Sequence, residues 1–158
     1  MTTVDDQVFG VRPIGVVHSS RLRPIDDDWG DVAATITLLP PFDGRSLVGL
    51  EEFSHVEVLY LFHMVDPESV HTGSRRPRGN PDWPDVGIFA QRAKDRPNRL
   101  GLCTCEVVEV RDDVLEVRAL DAIDGTPVLD IKPYMEEFAP RPPVRQPAWS
   151  HELMAGYF

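Results

Sequence analysis

The sequence predicts a mainly β protein: a single-sheet β-barrel of about six or seven strands with short helical turns and an extended, proline-rich C-terminal tail. The first observation is that apolar and polar residues alternate with a period of two, for example over residues 32–38, which is typical of a strand with one buried face. The second is that no sustained helical stripe of apolar residues precedes Gln146. A parallel sheet built from βαβ units is therefore not expected, and a mixed sheet curling into a barrel fits better.

Six segments are expected to form the strands. They cover residues 9–19, 32–38, 55–63, 102–110, 115–119 and 127–131. Asp43 with Gly44 and Asp124 with Gly125 are turn signals of the hairpin type. Residues 72–84 form a long loop rich in Gly, Pro and Arg, of a kind often used for binding or as a lid.

The C-terminal tail is expected to be extended because of its prolines, which are Pro140, Pro142, Pro143 and Pro147. Residues 148–154 then have the pattern of one or two helical turns. We expect this tail to pack on its own barrel or on a second subunit.

Length and composition favour one globular unit. A chain of 158 residues fits a single domain, 1–158, with the barrel at about 8–134 and the tail at 135–158. The longest apolar run has five residues, and the N-terminus lacks the pattern of a signal peptide, so no membrane segment is expected. Cys103 and Cys105 are too close in sequence for an ordinary disulfide, which favours the cytoplasm.

The charge distribution is uneven. The net charge of −10 argues against a protein that grips nucleic acid over a broad face. Residues 71–101, however, carry seven Lys or Arg against three Asp. Two interpretations stay open, namely attraction of an anionic ligand to this segment, or a solvated loop whose arginines pair with nearby carboxylates.

Several common motifs are missing from the sequence. It contains no G-x-G-x-x-G, no P-loop and no G-x-S-x-G, and its histidines lack the spacing of a zinc site, so we expect no metal. Cys103 and Cys105 share one face of a strand, where buried small side chains are the usual explanation. By contrast, residues 87–101 and 120–134 place charged groups and turn formers between apolar strands, as functional sites often do.

These two segments resemble the TrmO/YaeB family, also called TsaA-like proteins. The family pattern includes R-P-N-x-[IL]-G, found here at residues 96–101, and D-G-T-P-V-[VL]-D-I-K-P-Y, found at residues 124–134. The similarity begins near Val11 and covers nearly all of the chain up to Tyr134. The resemblance implies a methyltransferase that uses S-adenosylmethionine, usually a homodimer, whose best-known members methylate N6 of threonylcarbamoyladenosine in tRNA.

The resemblance also implies site residues. The cofactor-binding positions of the family fall on His63, Met64, Arg92, Leu102, Asp124, Gly125, Thr126 and Pro127. Where the family has a Q-P-G loop, this chain has Asp28, Trp29 and Gly30, which we also assign to the cofactor. Arg96, Asn98 and Lys132 are candidates for binding the acceptor, and Asp121, Asp130 and Tyr134 are the catalytic candidates, with Asp121 or Asp130 as proton acceptor.

Structural alternatives accompany these assignments. Pro97 and Asn98 also suit a turn, and Asp130 with Lys132 also suits a cross-strand ion pair. The replaced loop, the acidic composition and the lack of the additional C-terminal domain of longer members keep a small-metabolite methyltransferase open as the alternative function. A third possibility is a module that binds S-adenosylmethionine without catalysis.

Overall fold

A computed structural model describes residues 7–158 and contains a closed six-stranded barrel. The barrel strands are β1 (Gly15–Ser19), β2 (Ala33–Leu38), β3 (His55–Leu61), β6 (Leu100–Arg111), β7 (Val114–Arg118) and β8 (Pro127–Pro133). Around the barrel the order is β1-β2-β7-β6-β3-β8, and β8 pairs with β1 to close it. The predicted β-barrel is confirmed, although every pairing is antiparallel, so the expected mixed sheet is wrong.

The alternation in the sequence decides which side chains fill the barrel. On β3, Val56, Val58 and Tyr60 point inward and are essentially inaccessible to solvent. On β6 the inward positions include Cys103 and Cys105, which pair in register with Val58 and Val56. Both thiols are buried, as the sequence predicts, and burial raises the pKa of Cys105 to about 12.

The remaining elements are short. Strands β4 (Ser74–Arg75) and β5 (Val86–Gly87) pair as a two-stranded sheet within the long loop before β6. Single 3₁₀ turns connect other parts of the chain, among them Gly44–Ser46, Pro77–Gly79 and Pro97–Arg99. The one α-helix of residues 7–158 is α1 (Ala148–Met154), in agreement with the helical turns predicted there, and no helix in this range is long and apolar enough to cross a membrane.

Three expectations about local structure are wrong. The first strand begins at Gly15 rather than near residue 9. Asp43 does not start a hairpin, because its carboxylate caps a 3₁₀ turn and the next strand, β3, does not pair with β2. Gly125 does lie in a turn, but the strands on either side, β7 and β8, are not neighbours. The tight hairpin instead joins β6 to β7 through two residues, the first being Asp112 with a φ of 51°.

Candidate functional site

A cleft of about 1760 Å³ begins on the outer face of β3 and β6. Leu59, Leu100 and Leu102 form part of its floor, because they occupy the outward positions of the two paired strands. Residues of the 74–97 loop and of the 146–158 segment form further sides of the cleft. Most of the site residues predicted from the sequence can therefore be described by whether they line this cleft or lie beside it.

Five of the predicted cofactor residues line the cleft: Trp29, His63, Met64, Arg92 and Leu102. Arg92 is held over β6, since its guanidinium donates to the backbone carbonyl of Leu102. Thr126, a sixth, is buried and also reaches the cleft. These positions are separated by up to 97 residues in sequence, and the barrel brings them to one place.

The turn before β8, formed by Asp124 and Gly125, approaches the cleft-lining residues at one point, next to His63. Gly125 has a φ of 76°, a conformation that glycine adopts without strain. A side chain built there would meet His63 Nε2 at 3.8 Å and nothing nearer. The carboxylate of Asp124 faces away, since it accepts from the Ser19 backbone N–H at 3.1 Å. Asp124, Gly125 and Pro127 thus flank the cleft rather than line it.

The loop that replaces the family's Q-P-G sequence is attached to the C-terminal segment. The backbone N–H groups of Asp28 and Trp29 donate to the carbonyls of Gly156 and Tyr157 at 3.0 and 2.7 Å. A Cβ on Gly30 would lie 2.7 Å from the carbonyl carbon of Phe158, so the contact needs glycine. Trp29 is 3% exposed, with the Arg21 guanidinium 4.7 Å from its ring centroid. Asp28 and Gly30 therefore position this wall of the cleft.

Asp121 is the catalytic candidate that lines the cleft, and two tyrosines hold it. Tyr60 donates to its Oδ1 at 2.5 Å and Tyr157 to its Oδ2 at 2.7 Å. Burial, reinforced by the nearby Asp121 charge, raises the pKa of both tyrosines above the ordinary value. Both phenols therefore remain proton donors to Asp121 at neutral pH.

Four other candidates lie outside the lining of the cleft. Asp130 and Lys132 form an ion pair at 2.5 Å, and because both lie on β8 the pair runs along one strand rather than across two. Tyr134 follows the same strand and donates its backbone N–H to the carbonyl of His55. Asn98 sits in the 3₁₀ turn with a φ of 62°, which matches the alternative assignment as a turn residue. Their predicted roles in catalysis or acceptor binding stay predictions.

The cleft is locally basic. Six Lys or Arg and four Asp line it, in a chain whose net charge is −10. Arg75 pairs with Asp95 through two bonds of 2.5 Å, which lowers the pKa of Asp95, and Arg78 pairs with Asp27 at 2.7 Å. The other four cations have no carboxylate within 4 Å among the described residues: Arg76, Arg92, Lys94 and Arg96. The pairing with carboxylates is thus confirmed for Arg75 and Arg78, and the attraction of an anionic ligand stays a prediction for the other four cations.

Sequence reasoning missed three groups of the site. Gln91 is buried and fixes the loop, since its amide donates to the carbonyls of Arg75 and Val86 and its backbone carbonyl accepts from Arg96 at 2.7 Å. For Tyr60 the sequence did contain a signal, because a tyrosine on the inward face of a predicted strand needs a hydrogen-bond partner for its hydroxyl. Tyr157 lies 36 residues from Asp121, and no local pattern links the two.

Comparisons with known proteins identify the family. Residues 20–139 match the family model described as the tRNA-methyltransferase O N-terminal domain. The chain belongs to this family. The resemblance found in the sequence is therefore confirmed, as are S-adenosylmethionine as cofactor and the methyltransferase class.

Individual relatives and structures agree with the family assignment. The chain is 37% identical over 141 residues to a "Probable S-adenosyl-L-methionine-binding protein" of Methanothermobacter thermautotrophicus, covering 85% of this chain and 96% of the relative. It is 41% identical over 94 residues to the "tRNA (adenine(37)-N6)-methyltransferase" of Mus musculus, covering 60% of this chain and 21% of the relative. The crystal structure of TrmO from Pseudomonas aeruginosa superposes with a TM-score of 0.71 at 31% identity, over 88% of this chain and 62% of that one.

The cleft suits S-adenosylmethionine chemically. Met64 and Leu102 expose 63% and 45% of their surface beside it, which provides apolar contact for an adenine ring or a thioether-like chain. Arg92 adds a planar donor for a carboxylate. The open backbone at Gly125 permits close approach of a ligand at the side of His63. The cleft and its flank thus offer this cofactor apolar surface, a cation and accessible backbone.

Proposed function

We propose that this chain is an S-adenosylmethionine-dependent tRNA methyltransferase that methylates N6 of threonylcarbamoyladenosine. The observation that carries the proposal is that the family's cofactor positions share one cleft with three further cations, Arg76, Lys94 and Arg96, which have no carboxylate partner among the described residues. Cations of this kind attract phosphates. The relatives named as tRNA (adenine(37)-N6)-methyltransferases support the choice of acceptor.

The residues of this chain mainly orient the reactants. When bound, S-adenosylmethionine would supply an electrophilic methyl carbon for the acceptor nitrogen, with a neutral thioether as the leaving group. Arg92 in the lining, and the backbone of Gly125 at the flank of the cleft beside His63, would hold the donor, and holding reactants in line contributes on the order of 7–11 kcal/mol. Asp121 lines the same cleft and accepts the proton that the acceptor nitrogen loses. The two phenols on Asp121 keep the carboxylate in place.

A transfer assay tests this function. Purified protein is incubated with S-adenosylmethionine carrying a deuterated methyl group and with tRNA from a strain that lacks this protein, and the nucleosides are analysed by mass spectrometry. The expected product is threonylcarbamoyladenosine that has gained one labelled methyl group. Label that appears only in a small-molecule extract would replace the proposal by a metabolite methyltransferase, and binding without transfer to either would favour the non-catalytic module.

The family resemblance also implies a homodimer, which we retain as part of the proposal. Light scattering coupled to size-exclusion chromatography measures the mass directly. A monomer of 17.8 kDa would contradict it.

A further inference from the structure

The C-terminal segment, residues 146–158, contributes a helical face to the cleft. The cleft-lining residues of α1 are Trp149, Ser150, Leu153 and Met154, which recur at the three- and four-residue spacing of one helix face. None of them is fully buried. This face therefore meets the open cleft rather than the barrel core.

Several bonds fix the segment to the rest of the molecule. Tyr157 donates to Asp121 at 2.7 Å, and the backbone of residues 156 and 157 pairs with Asp28 and Trp29. Near the helix, Trp83 Nε1 donates to the Glu152 carboxylate at 2.8 Å. The segment is thereby held in place as a side of the cleft.

The aromatic ring on this face is Trp149. It packs against Trp83 with ring centroids 6.5 Å apart and an interplanar angle of 44°. Trp149 also lines the cleft, so it is supported by one indole and presents surface to the space beyond. Arg76 lines the same cleft and is attached to the loop that carries Trp83, since its guanidinium donates to the carbonyl of Pro81 at 3.0 Å.

A binding site that combines aromatic rings with cations is typical of proteins that bind single-stranded nucleic acid. Proteins bind such strands through a positively charged groove that follows the phosphates and through aromatic side chains on which bases stack. The cleft is also larger than the roughly 300–1,000 Å³ of a site for one small molecule. It has room for a cofactor on the barrel side together with part of an acceptor.

We propose that Trp149 is the acceptor-stacking residue of this enzyme, on which an RNA base rests while Arg76 contacts a phosphate of the same strand. This inference depends on the proposed tRNA function and adds the residues that select the acceptor. It assigns the binding of acceptor and of cofactor to different parts of the cleft. Loss of the indole should therefore weaken acceptor binding and leave cofactor binding unchanged.

The test compares Trp149→Ala, Trp149→Phe and the control Phe138→Ala, which removes an exposed aromatic ring from the same tail outside the cleft. KM for tRNA and kcat are measured in the transfer assay, Kd for S-adenosylmethionine by calorimetry, and Kd for a tRNA anticodon stem-loop by fluorescence anisotropy. We expect Trp149→Ala to raise KM and the stem-loop Kd roughly 5- to 150-fold, the loss typical of one stacked base. Trp149→Phe should recover most of the affinity, and Phe138→Ala should match the wild type.

The outcomes separate this inference from the proposed function. Wild-type transfer to tRNA together with an unchanged KM in Trp149→Ala overturns the stacking role and leaves the function standing. An equal loss of S-adenosylmethionine affinity in Trp149→Ala also overturns it, since the indole would then support the whole cleft. A wild-type protein that neither binds nor methylates tRNA overturns the function and the inference together.

Discussion

The hydroxyl of Tyr157 donates to Asp121 Oδ2 at 2.7 Å and so joins the C-terminal segment to the floor of the cleft. The other oxygen of the same carboxylate accepts from Tyr60, whose ring lies inside the barrel. One carboxylate thus couples the barrel core, the cleft and the segment that carries α1. Asp121 is therefore the candidate proton acceptor and also the residue that links the C-terminal segment to the barrel.

Removing the Tyr157 hydroxyl should weaken the attachment of the C-terminal segment to Asp121. A hydrogen bond to a charged group contributes about 1.5–3 kcal/mol, so Tyr157→Phe should lower the free energy of unfolding by an amount near the lower limit, because Tyr157 is only partly buried. Urea denaturation measures the change, and Tyr134→Phe, which removes the same atom away from Asp121, is the control. Equal stability of Tyr157→Phe and wild type would show that the bond does not hold the segment.

Alkaline pH should destabilise the protein through the same tyrosines. The pKa of Tyr60 and of Tyr157 is raised in the folded state, chiefly by burial and next by Asp121, whereas the unfolded chain ionises near pH 10. Above pH 10 the unfolded state therefore binds fewer protons, and stability present below that pH is lost as the pH rises.

The size of this loss can be measured. Each tyrosine contributes up to about 1.4 kcal/mol per pH unit, and the buried thiols add to the slope from about pH 9. Denaturation curves from pH 8 to 11 should show a slope that is shallower in the double variant Tyr60→Phe with Tyr157→Phe. The same slope in both proteins would mean that these phenols are not sheltered in the folded state.

The ring of Tyr60 also explains a glycine in β6. A Cβ on Gly101 would collide with the Cε2 edge of the Tyr60 ring, in a barrel with no room for the ring to move freely. We expect Gly101→Ala to cost about 1–3 kcal/mol, the usual penalty of overpacking a core. Gly87→Ala is the matched control, because a Cβ at this exposed position would have no neighbouring atom within 4 Å. Thermal unfolding that leaves both variants alike would contradict the packing described here.

The proposed contact between Arg76 and an RNA phosphate predicts how the affinity for tRNA depends on salt. Arg76 lines the cleft without a carboxylate partner among the described residues, so Arg76→Ala should weaken tRNA binding and reduce the slope of log affinity against log salt by about 1. Arg45→Ala is the control, because Arg45 pairs with Asp43 at 2.8 Å and does not line the cleft. Identical salt slopes for wild type and Arg76→Ala would remove Arg76 from the RNA contact.

The fold was largely predictable because alternation reports which face of a strand is buried. Residues 32–38 and 55–63 gave β2 and β3 nearly at their observed bounds. The pairing order was not predictable, since β3 lies between β6 and β8, which follow it at long range in the chain. A bulge between Leu59 and Tyr60 shifts the register against β8, and sequence periodicity carries no signal of it.

The site residues that belong to sequence motifs were predictable, whereas those supplied by the C-terminal segment were not. His63, Arg92 and Leu102 meet in one cleft as the resemblance implied. Trp149 and Tyr157 follow a proline-rich stretch without strand or helix, so their position depends on contacts with Trp83 and Asp121 that no spacing rule describes. Long-range contacts of this kind are fixed by packing rather than by local sequence.

Calorimetric titration with S-adenosylmethionine tests the central claim most directly. Wild-type protein should bind the cofactor, and Arg92→Ala should bind it about 10- to 150-fold more weakly, as expected for the loss of a hydrogen-bonded charge, while Arg45→Ala binds as the wild type does. Absence of binding by the wild-type protein, or equal affinity of wild type and Arg92→Ala, would contradict the assignment of this cleft to the methyl donor.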